Sequence, residues 1–179
     1  MTEKSLYKPI MEELKTIFDR HYVANPVNYP HQSVPYGWLK NPHLEITAYG
    51  DFSDKLKELF NYHLFRTLYA EKLKPDIMGF VKKKPQSKPA FITVEVKAGS
   101  ITIRNVLQAK LYQHIFKAKF SFVISPKGIS REKLSVILEN NRYLRGDVII
   151  AKYIPERHDF RIPKPLGKHI PKFLSDYIK

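Results

Sequence analysis

The hydrophobic residues of the chain follow two different spacings. In the first part they recur every three or four residues, which predicts a helix over 5–20, with Pro9 in its first turn. The same spacing, behind a Ser53 N-cap, predicts a second helix over 53–70. The proline- and aromatic-rich stretch 25–42 separates these helices and is typical of a long loop. Residues 44–49 between them are a candidate short strand.

From Pro75 onward the spacing changes to that of β-strands. Two segments rich in β-branched residues, 75–81 and 90–97, flank a lysine- and proline-rich break at 82–89, which predicts a hairpin with a solvent-exposed tip. The pattern then predicts a helix over 103–118, a strand over 120–124, a helix from Ser130 to about 143, a strand over 148–154 and a short helix near 172–178. This order is typical of an α/β domain with a mixed central sheet flanked by helices.

Length and composition favour one globular domain. With 179 residues, of which 43% are hydrophobic, we expect a single core in 1–179. We divide it into an N-terminal helix with its loop (1–50), a core (51–154) and a tail with a short helix (155–179). The absence of cysteine excludes disulfide, thiolate-metal and cysteine-nucleophile chemistry. No signal-peptide pattern or long apolar run is present, so we expect a cytoplasmic protein that does not enter a membrane.

The charge indicates an anionic partner. The chain has 31 Lys and Arg residues against 17 Asp and Glu residues, a formal net charge of +14. Such an excess is typical of proteins that bind nucleic acid and less often of proteins that bind anionic membrane surfaces. Only seven glycines occur and no glycine-rich phosphate loop is present, which disfavours an ATPase or a dinucleotide-dependent enzyme.

Two acids stand out against this basic background. Between Glu71 and Glu132 the chain has thirteen Lys or Arg residues but only two acids, Asp76 and Glu95. A hairpin symmetric about its break places residue 76 opposite residue 95, where side chains lie about 5 Å apart and like charges repel. Strand alternation puts Lys97 on the same face as Glu95. The group is therefore either a salt bridge or a divalent-cation site with oxygen ligands and a neighbouring ammonium group.

These residues carry a resemblance to a known family. Lys74-Pro75-Asp76, followed after eighteen residues by Glu95-Val96-Lys97, resembles the motif of the PD-(D/E)XK nuclease superfamily. The resemblance covers about 53–124. It implies a restriction-endonuclease-like core of the αβββαβ type, also found in archaeal Holliday-junction resolvases, here with an extra N-terminal helix and loop.

The resemblance also implies roles for individual residues. Asp76 and Glu95 would bind Mg²⁺, for which Mn²⁺ would substitute, and the backbone carbonyl of Val96 would be a further ligand. Lys97 would position or activate the attacking water. Gln108 and Tyr112 match the Q-x-x-x-Y helix that follows the motif in many members of the superfamily.

Supporting residues are more ambiguous. Arg104, Gln108 and Tyr112 share one helix face. This face either supports Lys97, contacts phosphate or is solvated. The apolar residues of the same helix are expected to pack: Val106, Leu107, Ala109 and Leu111. Many superfamily members have an upstream acid, for which Glu58 is our choice. The alternatives are Glu71, Glu12 and Glu13. A further alternative is that these acids are ordinary surface residues that bind no metal. The basic residues of the hairpin tip either grip a phosphate backbone or are solvated: Lys82, Lys83, Lys84 and Lys88.

The sequence thus favours a metal-dependent nuclease that hydrolyses phosphodiester bonds, with DNA as the expected substrate of an endonuclease. The alternative is a nucleic-acid-binding module on the same fold without catalytic activity. A second alternative is a basic interaction or structural domain, which would bind DNA without salt sensitivity or not at all. A homodimer is compatible with each. The type of nucleic acid and its strandedness do not follow from the sequence.

Overall fold

The computed structural model describes residues 1–23, 42–60, 73–82, 88–140 and 148–164, together with Pro171, Leu174 and Tyr177. Its helices are α1 (Glu3–Val23), α2 (Asp54–Lys57), α3 (Ile103–Phe116) and α4 (Arg131–Asn140). Its strands are β1 (His43–Ile46), β2 (Ile77–Val81), β3 (Ala90–Val96), β4 (Phe120–Ser125), β5 (Val148–Ile154) and β6 (Asp159–Arg161). No helix in these ranges is long and apolar enough to cross a membrane.

The strands form one mixed sheet in the order β1-β2-β3-β4-β5-β6. Strands β1, β2 and β3 are antiparallel neighbours, β3, β4 and β5 are parallel, and β6 returns antiparallel to β5. The parallel connections contain α3 and α4, because parallel neighbours need a crossover. The expected α/β class with a mixed, helix-flanked sheet is therefore confirmed.

The hairpin register is also confirmed. Ile77 pairs with Val94 and Val81 with Ala90, so the same register places residue 76 opposite residue 95. The backbone N–H of Asp76 donates to the Val94 carbonyl at 3.0 Å, which continues the pairing beyond the strand. Because β2 and β3 pair outward from Val81 and Ala90, residues 76 and 95 meet at the base of the hairpin.

Helices cover both faces of the sheet. On one face, the Phe18 ring of α1 lies 5.3 Å from the Phe120 ring and 6.5 Å from the Phe122 ring. On the other face, α3 packs through residues that include Tyr112 and Phe116. Burial of aromatic rings on both faces is a main source of stability in such a sheet.

Several expectations about helices need correction. Helix α1 begins at Glu3 because Thr2 Oγ1 accepts a hydrogen bond from the Ser5 N–H (3.3 Å), so Pro9 lies inside the helix and not in its first turn. The expected packing role of Leu107 and Leu111 is wrong, since these side chains are 46% and 47% exposed. The apolar residues of α3 surround the helix, and the packed face includes Val106, Ala109, Tyr112 and Phe116.

The continuous helix expected over 53–70 is wrong, since α2 ends at Lys57 with Glu58 as its C-cap and residues 58–60 form a turn and bend. Ser53 occupies the N-cap position of α2, but its side chain makes no cap hydrogen bond. Its backbone N–H instead donates to Glu45 Oε1 at 2.8 Å. Residues 61–72 lie outside the described residues, as do most of the predicted loop at 25–42, the end of the helix after Ser130 and most of the helix predicted near 172–178. The short strand β6 was not predicted.

Candidate metal and catalytic site

The candidate site lies at the base of the hairpin, where β2 begins and β3 ends. Asp76 precedes β2, Glu95 is the penultimate residue of β3, and Lys97 follows β3. The Lys97 N–H donates to the Ile124 carbonyl of β4 (2.9 Å), and the Asp76 carbonyl accepts from the Thr47 N–H after β1 (2.9 Å). Backbone hydrogen bonds to β1 and β4, on the two sides of the hairpin, therefore hold the site in place, which is the rigid support that a functional group needs.

Both carboxylate oxygens of Asp76 have hydrogen-bond donors. The backbone N–H of Val96 donates to Oδ2 at 2.7 Å, and the Tyr7 hydroxyl on α1 donates to Oδ1 at 3.1 Å. The first donor comes from the facing strand of the same hairpin, whereas the second comes from a residue 69 positions earlier. Together they fix the orientation of this carboxylate, because each oxygen has its own donor.

Lys97 lies among three carboxylates. Its Nζ is 3.0 Å from Glu95 Oε2, 3.9 Å from Asp76 Oδ2 and 4.0 Å from Glu3 Oε2. Glu95 is only 2% exposed, so its charge must be balanced locally. The ammonium group supplies this balance, and the expected salt-bridge geometry is therefore present.

Burial and mutual repulsion change the proton affinities of this group. Burial, followed by the charge of Asp76, raises the pKa of Glu95 to about 7, although Lys97 acts against this shift. Burial also raises the pKa of Asp76, while the Val96 N–H and Lys97 oppose the rise. Burial acts to lower the pKa of Lys97, but the charge and hydrogen bond of Glu95, together with the charges of Asp76 and Glu3, outweigh burial and raise that pKa. The lysine therefore stays charged at neutral pH, whereas Glu95 gains or loses its proton near neutral pH.

Glu3 is the acid that sequence reasoning missed. It lies in the first turn of α1, and its charge contributes to raising the pKa of Tyr7, Asp76, Glu95 and Lys97. The sequence offers only a weak signal, an acid that precedes a tyrosine by one helical turn. Its position depends on how α1 packs across the sheet.

The acids chosen from the sequence lie elsewhere or outside the described residues. Glu58 is exposed at the C-cap of α2, and it is not among the charges that shift the pKa of Asp76 or Glu95. Glu12 pairs with Lys15 at 3.1 Å. The pKa of Glu13 is raised by burial and responds to charges in another part of the molecule, Arg20, Asp159 and His158. Glu71 lies outside the described residues.

Helix α3 brings Gln108 and Tyr112 toward the carboxylates. Gln108 Nε2 donates to the Tyr112 hydroxyl at 3.3 Å, and Tyr112 is buried. Burial raises the pKa of Tyr112, the Gln108 hydrogen bond lowers it, and the charges of Glu95, Asp76 and Lys97 also act on it. These two side chains thus form a polar pair beside the site, whereas Arg104 is exposed in the first turn of the helix.

The remaining candidates contribute differently. Val96 is fully buried, and its N–H holds Asp76, while its carbonyl is the group that the resemblance implies as a ligand. Lys82 is half-buried, with Nζ 5.7 Å from the centroid of the Phe80 ring. Lys83 and Lys84 lie outside the described residues, and Lys88 is exposed.

The donor set suits a hard divalent cation. Within the described ranges, no three His, Cys, Asp or Glu side chains are arranged to hold a metal. Asp76 and Glu95 nevertheless provide two adjacent carboxylates, the ligand type that Mg²⁺ prefers. Glu95 Oε2 is buried, and its ion-pair partner Lys97 Nζ lies 3.0 Å away. A carboxylate oxygen has two lone pairs, so the ion pair with Lys97 leaves Oε2 the capacity to bind a cation as well.

Comparisons with known proteins add no family. No protein-family model matches the chain, and no curated protein matches it.

Proposed function

We propose that this protein is a Mg²⁺-dependent nuclease of the PD-(D/E)XK type that acts on DNA as an endonuclease. One observation carries the proposal: Asp76 and Glu95 are cross-strand neighbours, and Lys97 Nζ lies 3.9 Å and 3.0 Å from their carboxylates. Two acids and a lysine on adjacent strands form the constellation that the motif implies. The order α1-β1-α2-β2-β3-α3-β4 is compatible with a restriction-endonuclease-like αβββαβ core that has the short helix α2 inserted between β1 and β2. In this arrangement α1 is the first core helix and not the extra N-terminal helix expected from the sequence.

Asp76 and Glu95 would hold the cation, with the Val96 carbonyl as a further ligand. When bound, Mg²⁺ or Mn²⁺ polarises a phosphate oxygen and makes a bound water more acidic. The Val96 N–H and the Tyr7 hydroxyl keep the Asp76 carboxylate oriented. The Lys97 ammonium, held in place by Glu95, orients the attacking water and stabilises negative charge on the phosphate.

Glu95 must lose its proton to bind a cation. Its pKa of about 7 means that the free site is partly protonated at neutral pH. Metal binding would then release a proton, since a carboxylate ligand binds in its ionised form. The net charge of +14 supplies attraction for the phosphate backbone independently of this site.

The same geometry also suits a second function. Lys97 already balances both carboxylates, so the cluster can be stable without a metal. This observation favours a nucleic-acid-binding module that has the fold without cleavage. The module and the nuclease share the same basic charge and differ in their response to Mg²⁺.

Incubation with a panel of nucleic acids separates the two functions. The purified protein is mixed with single-stranded and duplex DNA and RNA, with Mg²⁺, with Mn²⁺ and with EDTA. The nuclease predicts cleavage of DNA with either metal and none with EDTA, and Asp76→Ala protein purified in parallel controls for contaminating nucleases. Salt-sensitive binding without cleavage at any metal concentration would replace the nuclease with the binding module.

A further inference from the structure

Tyr49 is an unusual surface residue. Its side chain is 55% exposed, and it is the only aromatic residue among the strongly exposed large hydrophobic residues that the structure describes. Other described aromatic rings pack against one another, as in the contacts of Phe18 and Phe60. An exposed aromatic ring combines a large apolar face with a polar hydroxyl, which suits it to contact a partner.

Tyr49 is separated from the candidate site by one side chain. Its ring centroid lies 5.3 Å from that of Tyr7, whose hydroxyl donates to Asp76 Oδ1. The neighbouring Ala48 N–H donates to the Asp76 carbonyl at 3.1 Å, so the loop after β1 is fixed to the start of β2. The exposed ring is therefore held at a constant position relative to the carboxylates.

Contacts with α1 also hold the ring. The Tyr49 hydroxyl donates to the Lys4 carbonyl at 3.2 Å, and Lys4 Nζ lies 5.6 Å from the ring centroid. A hydroxyl anchored at one edge leaves the ring oriented before any ligand binds, which lowers the entropic cost of stacking. The ammonium contact is weak at an exposed position, so a ligand can displace it.

Two lysines lie next to Tyr49. Lys4 Nζ lies 5.6 Å from the ring centroid, and Lys74 Nζ donates to the carbonyl of the adjacent Gly50 at 2.7 Å. Positive charges around an exposed ring are complementary to a nucleotide, which joins an aromatic base to an anionic phosphate. Proteins that bind single strands combine these two features.

We propose that Tyr49 is a stacking platform for an unpaired base of single-stranded DNA, next to the phosphate that reaches Asp76 and Glu95. Bases inside a duplex already stack on one another and do not offer a free face, so an exposed ring selects unpaired nucleotides. This inference rests on the proposed function and specifies its substrate as single-stranded DNA, or DNA with an unpaired segment at the cleaved bond.

Binding measurements without divalent metal test the platform. A single-stranded thymidine oligonucleotide is compared with an abasic oligonucleotide of equal length and charge, and with a duplex. The wild type should bind the thymidine strand at least about fivefold more tightly than the abasic strand, since each stacked base contributes at least that much. Tyr49→Ala should lose most of this preference, Tyr49→Phe should keep it, and affinity for the duplex should change less than about twofold in both variants.

A matched control and the alternative outcomes complete the test. Val136→Ala removes another exposed apolar side chain, on α4, and should behave as the wild type. Salt-sensitive binding with no preference for thymidine over abasic DNA would overturn the platform and leave the proposed function standing. A Tyr49→Phe variant as impaired as Tyr49→Ala would also overturn it, since the ring would then not be the contact. Absence of salt-sensitive binding to any oligonucleotide would overturn both proposals.

Discussion

The charged residues at the two ends of the β2–β3 hairpin differ in their exposure to solvent. At the base, Asp76, Glu95 and Lys97 are largely buried, and each has partners at defined distances. At the tip, the basic residues include Lys82, which lies along an aromatic ring, and the exposed Lys88. Buried charges interact strongly with their neighbours, whereas solvated charges are screened within about 8–10 Å. One hairpin therefore combines a short-range chemical site with a long-range electrostatic surface.

This difference determines how substitutions should act. A change at the base removes a specific partner from low-dielectric surroundings, so we expect large effects that salt does not abolish. A change at the tip removes one of many screened charges, so we expect small effects that depend on salt.

Apart from the two acids, Lys97 should have the largest effect. In the nuclease it acts on the water or the phosphate, so Lys97→Ala should lower the single-turnover cleavage rate at least about 100-fold. Without metal, two close carboxylates are left uncompensated, and the free energy of unfolding should fall by about 3 kcal/mol. Mg²⁺ should restore most of that stability, because the cation takes over the charge balance.

Lys97→Arg separates the two roles of this residue. Arginine keeps the charge but replaces a compact ammonium group with a wide planar group, so it should restore stability without restoring the rate. Melting temperature with and without Mg²⁺, measured beside cleavage, gives both readouts. Normal cleavage by Lys97→Ala would leave this residue with the salt-bridge role alone.

Glu95 should make stability depend on pH. Its pKa in the folded protein, about 7, is above the ordinary value of 4.5, so the folded state holds this proton more tightly than the unfolded state. The associated stabilisation is complete below about pH 4.5 and is lost as the pH rises through 7. In EDTA, the wild type should therefore lose roughly 1–3 kcal/mol between pH 5 and pH 8, a loss that Glu95→Gln should lack. Urea unfolding at both pH values measures this difference, and equal pH dependence of the two proteins would contradict it.

Tyr7 should have a moderate effect through Asp76. Tyr7→Phe removes the donor to Oδ1 and leaves the Val96 donor to Oδ2 in place, so the carboxylate is less well oriented. We expect the Mg²⁺ concentration for half-maximal cleavage to rise by about tenfold, with a rate at saturating Mg²⁺ within about threefold of the wild type. A metal titration of cleavage measures both quantities. A purely structural role would lower the melting temperature without changing the half-maximal Mg²⁺ concentration.

The hairpin tip should have the smallest effect. Replacing Lys82, Lys83 and Lys84 together by Ala should weaken binding to all DNA sequences alike. The slope of log K against log salt should decrease by at most about 0.9 for each duplex phosphate contact that is lost. Fluorescence anisotropy at several salt concentrations measures the slope. An unchanged slope would show that these lysines face solvent only.

Local patterns were sufficient to predict much of the fold. The hairpin register followed from the position of its break, because antiparallel pairing counts outward from the turn, and it placed Asp76 opposite Glu95. The mixed sheet followed from the order of elements. Strand β6 was missed because three residues give too short a pattern to read.

The parts that depend on tertiary packing were harder to predict. Glu3 and Tyr7 reach the site only because α1 packs across the sheet, and no local signal relates residue 3 to residue 97. The packed face of α3 was partly misjudged because its apolar residues surround the helix, so the exposure of Leu107 and Leu111 depends on what covers each side. Pairing of neighbouring strands thus places Asp76 and Glu95, and it is readable from the sequence. The packing of α1 places Glu3 and Tyr7, and it is not.

Single-turnover cleavage by variants of the two acids tests the central claim most directly. Asp76→Ala and Glu95→Ala are compared with the wild type in Mg²⁺, with Glu139→Ala, an exposed acid on α4, as the matched control. The metal-site account predicts that both variants lose at least about 1,000-fold in rate, because loss of a single electrostatic catalytic group already costs about 100- to 1,000-fold. Glu139→Ala should cleave normally. Metal-free DNA binding by the two variants should be unchanged or tighter, because each has lost a negative charge that repels phosphate. Cleavage at the wild-type rate by either variant would contradict the account.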